Sequence, residues 1–91
     1  MNKMFQWQFD EKALKNFKKL DKSVQVRVLK WLDENIQNTD DPRLQGKALK
    51  GNFKTLWRYR VGGYRIIADI RDEMLTVLVL QVAKRGDVYK K

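Results

Sequence analysis

Gly62 and Gly63 stand between two runs of alternating residues, Phe53–Val61 and Tyr64–Arg71, and limit the fold more than any other feature of the chain. A two-residue Gly-Gly connection fits a type I′ or II′ turn, whose twist suits a β-hairpin. The turn also sets a register in which Val61 pairs with Tyr64, Arg60 with Arg65, and Arg58 with Ile67. Side chains alternate faces along a strand. Trp57, Tyr59, Tyr64, Ile66, Ala68 and Ile70 therefore share one face, while Arg58, Arg60 and Arg65 share the other. The apolar face is the one to bury, so its aromatic residues are expected to pack rather than to stack on bases.

The remaining elements follow from periodicity. Asp72 and Glu73 make a further turn, and Met74–Arg85 is a long β-branched strand, apolar on both faces, which belongs in the interior of a sheet. Met4–Phe9 alternates, with Phe5, Trp7 and Phe9 on one side, and reads as a strand. Asp10 caps a helix with Ala13, Leu14, Phe17 and Leu20 on its apolar face. Asp21 or Ser23 opens a second helix with Val24, Val28, Trp31, Leu32 and Ile36 at helical spacing, the aromatic residues of both being core. Asn38–Gly51 is expected to be a loop. The predicted order is β-α-α-β-β-β, an α+β fold with an antiparallel sheet and a two-helix hairpin packed on one face. At 91 residues the chain is expected to form one domain, residues 1–91. No run approaches membrane-spanning length and no signal peptide is visible, so the cytoplasm is expected and a membrane is not.

Charge and residue types narrow the chemistry. The net charge is +9, and it is concentrated. Residues 1–42 carry eight Lys or Arg against seven Asp or Glu, whereas residues 43–91 carry twelve against four. Such asymmetry suggests a surface for polyanions. There is no cysteine and no histidine, so thiolate chemistry and the usual general base are both excluded. Carboxylates in the basic half are few (Asp69, Asp72, Glu73 and Asp87), a poor supply for a two-metal site. Neither a metal nor an organic cofactor is expected. Three arginines converge on one sheet face, and like charges directly opposite each other destabilise a sheet. A polyanionic ligand accounts for the arrangement; neutralisation by Asp69 or another carboxylate is the alternative. Parity alone leaves open whether Arg85 joins this patch, because a bulge would change it.

The segments FQWQFDEKALKNFKKL, KALKGNFKTLWRYRVGGYRI and VLVLQVAKRGDVYK together resemble the bacterial RelE/ParE toxin superfamily, and within it the RelE branch. The resemblance spans essentially the whole chain. It implies the toxin of a type II toxin–antitoxin system, with a cognate antitoxin and the ribosome with its mRNA as partners. The implied activity is cleavage of mRNA in the decoding site by attack of the RNA's own 2′-hydroxyl. By motif match, Arg58 and Arg60 take the places of paired basic residues before the hairpin turn, and Arg65 that of the arginine in the GYR motif. Arg85 matches the arginine of the KR pair and Tyr89 the terminal tyrosine, while Lys54, Lys84 and Lys90 are expected RNA contacts. The best-known members carry lysines where this chain has Arg58 and Arg60. Arginine does not give up its proton, so these two are cast as phosphate clamps, Tyr89 as the base and Arg85 as the group at the leaving oxygen. Two other readings are a ParE-like toxin that blocks DNA gyrase and a non-catalytic nucleic-acid-binding module.

Overall fold

In the computed structural model, residues 3–49 and 55–85 are described. Strand β1 (Gln6–Phe9) leads into helix α1 (Glu11–Phe17) and helix α2 (Lys22–Asn35). Then follow β2 (Lys47–Ala48), β3 (Leu56–Val61), β4 (Tyr64–Arg71), a single 3-10 turn (Asp72–Met74) and β5 (Thr76–Lys84). The strands form one sheet in the order β1-β5-β4-β3-β2.

Local chemistry explains the helical hairpin. The Asp10 carboxylate accepts from the Lys12 amide and so caps α1, satisfying one donor that the first turn leaves unbonded. Asp21 occupies the cap position of α2 without a side-chain hydrogen bond. Instead, the Gln25 amide reaches back to the Leu20 carbonyl at 2.7 Å, closing the short joint between the helices. α1 lies against β5 and α2 against β3, covering one face of the sheet. Phe17, Val28 and Leu32 from the helices and Ile36, which caps the end of α2, meet Tyr59, Ile66, Ala68, Ile70, Val77 and Val79 from the strands in one buried cluster. Full burial of each large aliphatic side chain contributes roughly 1.5–3 kcal/mol.

The α+β class and the helix pair on one face agree with the sequence reading. β4 spans the predicted residues, and Gly62, with a φ of 59°, supplies the left-handed first position of a type II′ turn. Two features differ. The sheet is mixed, because β1 runs parallel to β5. Tight turns force only β3, β4 and β5 to alternate, whereas β1 joins its partner through a long crossover that permits parallel pairing. The stretch expected as loop also contains β2, whose two residues pair with Arg58 and Trp57.

β2 depends on Gly46. Its φ is 79°, and a Cβ at this position would run into the Arg58 carbonyl oxygen. Gly46→Ala should therefore lower stability by about 1–3 kcal/mol through backbone strain, and amide exchange at Lys47 and Ala48 should accelerate. Urea unfolding and hydrogen exchange would check this; an unchanged midpoint would show that the chain relieves the strain elsewhere.

Candidate nucleic-acid interface

The face of the sheet turned away from the helices carries the basic residues, and strand pairing fixes their arrangement. Arg60 lies directly opposite Arg65, and Arg58 opposite Ile67, as the hairpin register requires. On the outer side of β3, Lys47 lies opposite Arg58. Beyond β4, Ala83 lies opposite Arg65 and Gln81 opposite Ile67. The face thus has one transverse row of Lys47, Arg58, Ile67 and Gln81 and a second of Arg60, Arg65 and Ala83.

Arg65 is the exceptional member. It is 6% exposed, the one buried charged side chain among the described residues. Taking a guanidinium out of water costs free energy that an aliphatic residue would not. Arg58 is half-buried and Arg60 exposed, giving the cluster a gradient from solvent to sheet. Asp69 forms its ion pair with Arg71, at 3.0 Å, two residues along the same strand.

A bulge decides where Arg85 goes. Along β5, Val77 and Val79 are fully buried on the helix side. Ala68 pairs with Val79 but Ile67 pairs with Gln81, so Leu80 is an extra residue without a partner of its own. One extra residue inverts the alternation beyond it. Val82 and Lys84 consequently fall on the helix side, and Gln81 and Ala83 on the arginine face. The Arg85 amide continues the ladder by donating to the Gly63 carbonyl at 2.8 Å. Two residues past Ala83, Arg85 takes the arginine face; without the bulge it would share the parity of Val77 and Val79.

At the β2 edge, a concavity of about 280 Å³ is lined by Trp31, Gln45, Gly46, Lys47, Arg58 and Arg60. Its rim is anchored from β3. The Tyr59 hydroxyl, whose pKa burial pushes well above the usual tyrosine value, donates to the Pro42 carbonyl at 2.7 Å. Trp57 Nε1 donates to the Gln45 carbonyl. Arg43 lies over the Trp57 ring and grips Asp72 with two hydrogen bonds of 2.9 and 2.8 Å. That contact holds the Asp72 carboxyl below the ordinary carboxylate range.

Of the residues singled out from sequence, Arg58, Arg60, Arg65 and Arg85 share one face, and Lys84 lies on the other by register. Lys54, Tyr89 and Lys90 lie outside the described residues. Sequence reasoning missed Lys47, because nothing in a stretch that reads as loop announced a two-residue strand.

The family model described as the ParE toxin of type II toxin–antitoxin systems matches residues 8–89. The mRNA interferase toxin RelE of Escherichia coli strain K12 is 34% identical over 88 residues, covering 91% of this chain and 87% of that protein. A chain of the RelBE2 toxin–antitoxin complex from Mycobacterium tuberculosis superimposes with a TM-score of 0.77 at 26% identity, over 92% of this chain and 94% of that one. A chain of the intact Escherichia coli RelBE toxin–antitoxin complex gives 0.72 at 30% identity, over 90% and 98%.

If the arginine face takes a polyanion, single-stranded RNA should bind with an affinity that falls steeply as salt rises. Replacing Arg58 and Arg60 together by Ala should weaken binding and reduce the log–log salt slope by about 0.7 for each phosphate that is no longer neutralised. An unaltered slope in the double variant would remove both arginines from the interface.

Proposed function

The chain belongs to the RelE/ParE superfamily of type II toxin–antitoxin toxins, and from that premise we propose that it is a RelE-type endoribonuclease acting on messenger RNA bound to the ribosome. The observation that carries this reading is the arginine face: Arg60 opposite a buried Arg65, Arg58 beside them, and Arg85 delivered to the same side by the bulge. The resemblance of the chain to a named mRNA interferase supports it.

In the proposed reaction the RNA's 2′-oxygen attacks the adjacent phosphorus as its proton is taken up by a base. The bond from phosphorus to the 5′-oxygen breaks, and that oxygen receives a proton. The products are a 2′,3′-cyclic phosphate and a 5′-hydroxyl. Because the substrate supplies the nucleophile, the protein's work is alignment and charge stabilisation. Arg58 and Arg60 would hold phosphate oxygens, and Arg65 would stabilise the charge that develops on the phosphorane. Arg85 would act at the leaving oxygen, and Tyr89 is the proposed base. Lys54 and Lys90 would add contacts to RNA, whereas Lys84, on the helix side by register, is not among them. A chain without histidine or cysteine can support this chemistry with no metal.

A cognate antitoxin is the proposed protein partner, and the cytoplasm, where translation occurs, the proposed location. The relatives solved as toxin–antitoxin complexes support the first. So does the arginine face itself, where Ile67 and Leu78 are half-buried apolar residues beside the cations. Among the described residues, no helix is long and apolar enough to cross a membrane. The description of the matching family by its ParE members gives a second reading, a toxin that blocks DNA gyrase. Whether translation or DNA supercoiling fails first after induction separates the two.

Primer extension on cellular mRNA after induction should reveal new 5′ ends, and these should carry hydroxyls. Cutting should persist in chelator when polyamines keep the ribosomes intact. Fragments with 5′-phosphates would refute attack by the 2′-hydroxyl. Arg65→Ala should slow single-turnover cleavage by roughly 10²–10³. Tyr89→Phe should slow it by ~10²–10⁴ and alter the pH–rate profile, as loss of a general base does. A wild-type rate in Tyr89→Phe would pass the base's role to Lys54, since Lys84 lies on the opposite face.

A further inference from the structure

The concavity at the β2 edge combines features that packing alone does not explain. Lys47 is exposed on a strand of two residues, directly opposite Arg58, where like charges cost stability. The chain reaches that position only through the left-handed Gly46, pressed against the β3 backbone. Among the described residues, its lining includes three cations and no carboxylate. Trp31 completes the wall. The indoles of Trp7 and Trp57 are held by hydrogen bonds from Nε1 to Asp33 Oδ1 and to the Gln45 carbonyl. Trp31 is held by its ring contact with Tyr59, centroids 5.2 Å apart and planes tilted by 51°, and it is half-buried and among the residues that line the concavity. A volume of about 280 Å³ lies just below the usual range for small-molecule pockets, which suits one flat base rather than a larger ligand.

We propose that this concavity is a subsite for one nucleotide of single-stranded RNA, with the Trp31 indole against the base and Lys47 on the neighbouring phosphate. The subsite deepens the endoribonuclease reading and rests on it for its substrate class. An indole offers a stacking surface to any base, and a flanking cation tracks the backbone. Arg58 and Arg60 line both the concavity and the arginine face. A strand held here would therefore run from the edge of the sheet onto the proposed cleavage site. Trp31 and Lys47 are binding residues in this scheme and take no part in proton transfer.

The test uses the full chain and a fluorescein-labelled 2′-O-methyl RNA hexamer, which lacks the attacking hydroxyl and cannot be cut by this route. A matching hexamer without bases is the second probe. Trp31→Leu should weaken the first hexamer about 10-fold, the typical effect of losing one stacked base, and leave the baseless one unaffected. Lys47→Gln should weaken both and lower the salt slope by about 0.7. Because Lys47 is exposed and faces a like charge, Lys47→Gln should be at least as stable as the wild type and keeps the test valid if Trp31→Leu loses its fold. If wild-type protein cuts mRNA on ribosomes but Lys47→Gln binds both hexamers with wild-type affinity, the subsite is overturned and the endoribonuclease reading stands. If the two variants lose hexamer affinity as stated but wild-type protein leaves ribosomal mRNA uncut, the subsite is supported and the cleavage reading fails. Binding of a poly-glutamate peptide that depends on Trp31 and Lys47, with no such dependence for RNA, would assign the concavity to an acidic protein segment and overturn the proposal.

Discussion

Burial of Val77 and Val79 in the interior of the sheet is the contact on which the other elements depend. Both are fully buried, and they sit on a strand hydrogen-bonded along both edges, to β1 in parallel and to β4 antiparallel. Phe9, opposite Val79, packs on Phe17 with ring centroids 4.7 Å apart and so seats α1. On the other side, β4 carries Ile66, Ala68 and Ile70 into the same core and fixes β3 through the tight turn. With one face committed to the helices, the opposite face holds the cations. Fold and charge pattern are thus two sides of one sheet.

The edge beyond β3 is organised differently, by polar side chains rather than by apolar burial. Tyr59 and Trp57 hold the loop at Pro42 and Gln45, and Arg43 ties that loop to the turn before β5 through Asp72. Burial raises the Tyr59 pKa, so the hydroxyl remains a donor across the physiological range. The Asp72 pKa is lowered, so its contribution is present above the ordinary carboxylate pKa and is lost as pH falls through the depressed value. Both partners of that ion pair are solvent-exposed, which screens the attraction and makes it a positional tether more than a source of stability.

Much of this was readable because it is local. The Gly62-Gly63 turn sets the β3–β4 pairing residue by residue, and the opposition of Arg60 and Arg65 follows from counting. The Asp10 cap and the inward faces of the helices follow from side-chain chemistry and periodicity. What escaped depends on distant partners. β1 pairs with a strand at the far end of the chain, and nothing near Gln6 states its direction. β2 exists because Gly46 can approach Arg58, a contact between residues that the sequence places apart. Trp31 has helical spacing and reads as core, and only the fold reveals that it is among the residues lining the concavity at the basic edge. The bulge at Leu80 has no signature in LVLQV, since every residue there suits a regular strand.

That bulge separates two kinds of information carried by one strand. Upstream of Leu80, residue type matters, because Val77 and Val79 fill the core. From Leu80 to Arg85, the number of residues matters as much as their nature, because it determines the side on which the terminal arginine emerges. Position 80 should therefore tolerate changes of identity far better than changes of length. Two relatives of equal similarity could carry the same arginine in the aligned column and present it to opposite sides of the sheet. Loss of a single codon at this point would have the effect of exchanging the strand's two faces downstream while leaving every cation in the gene.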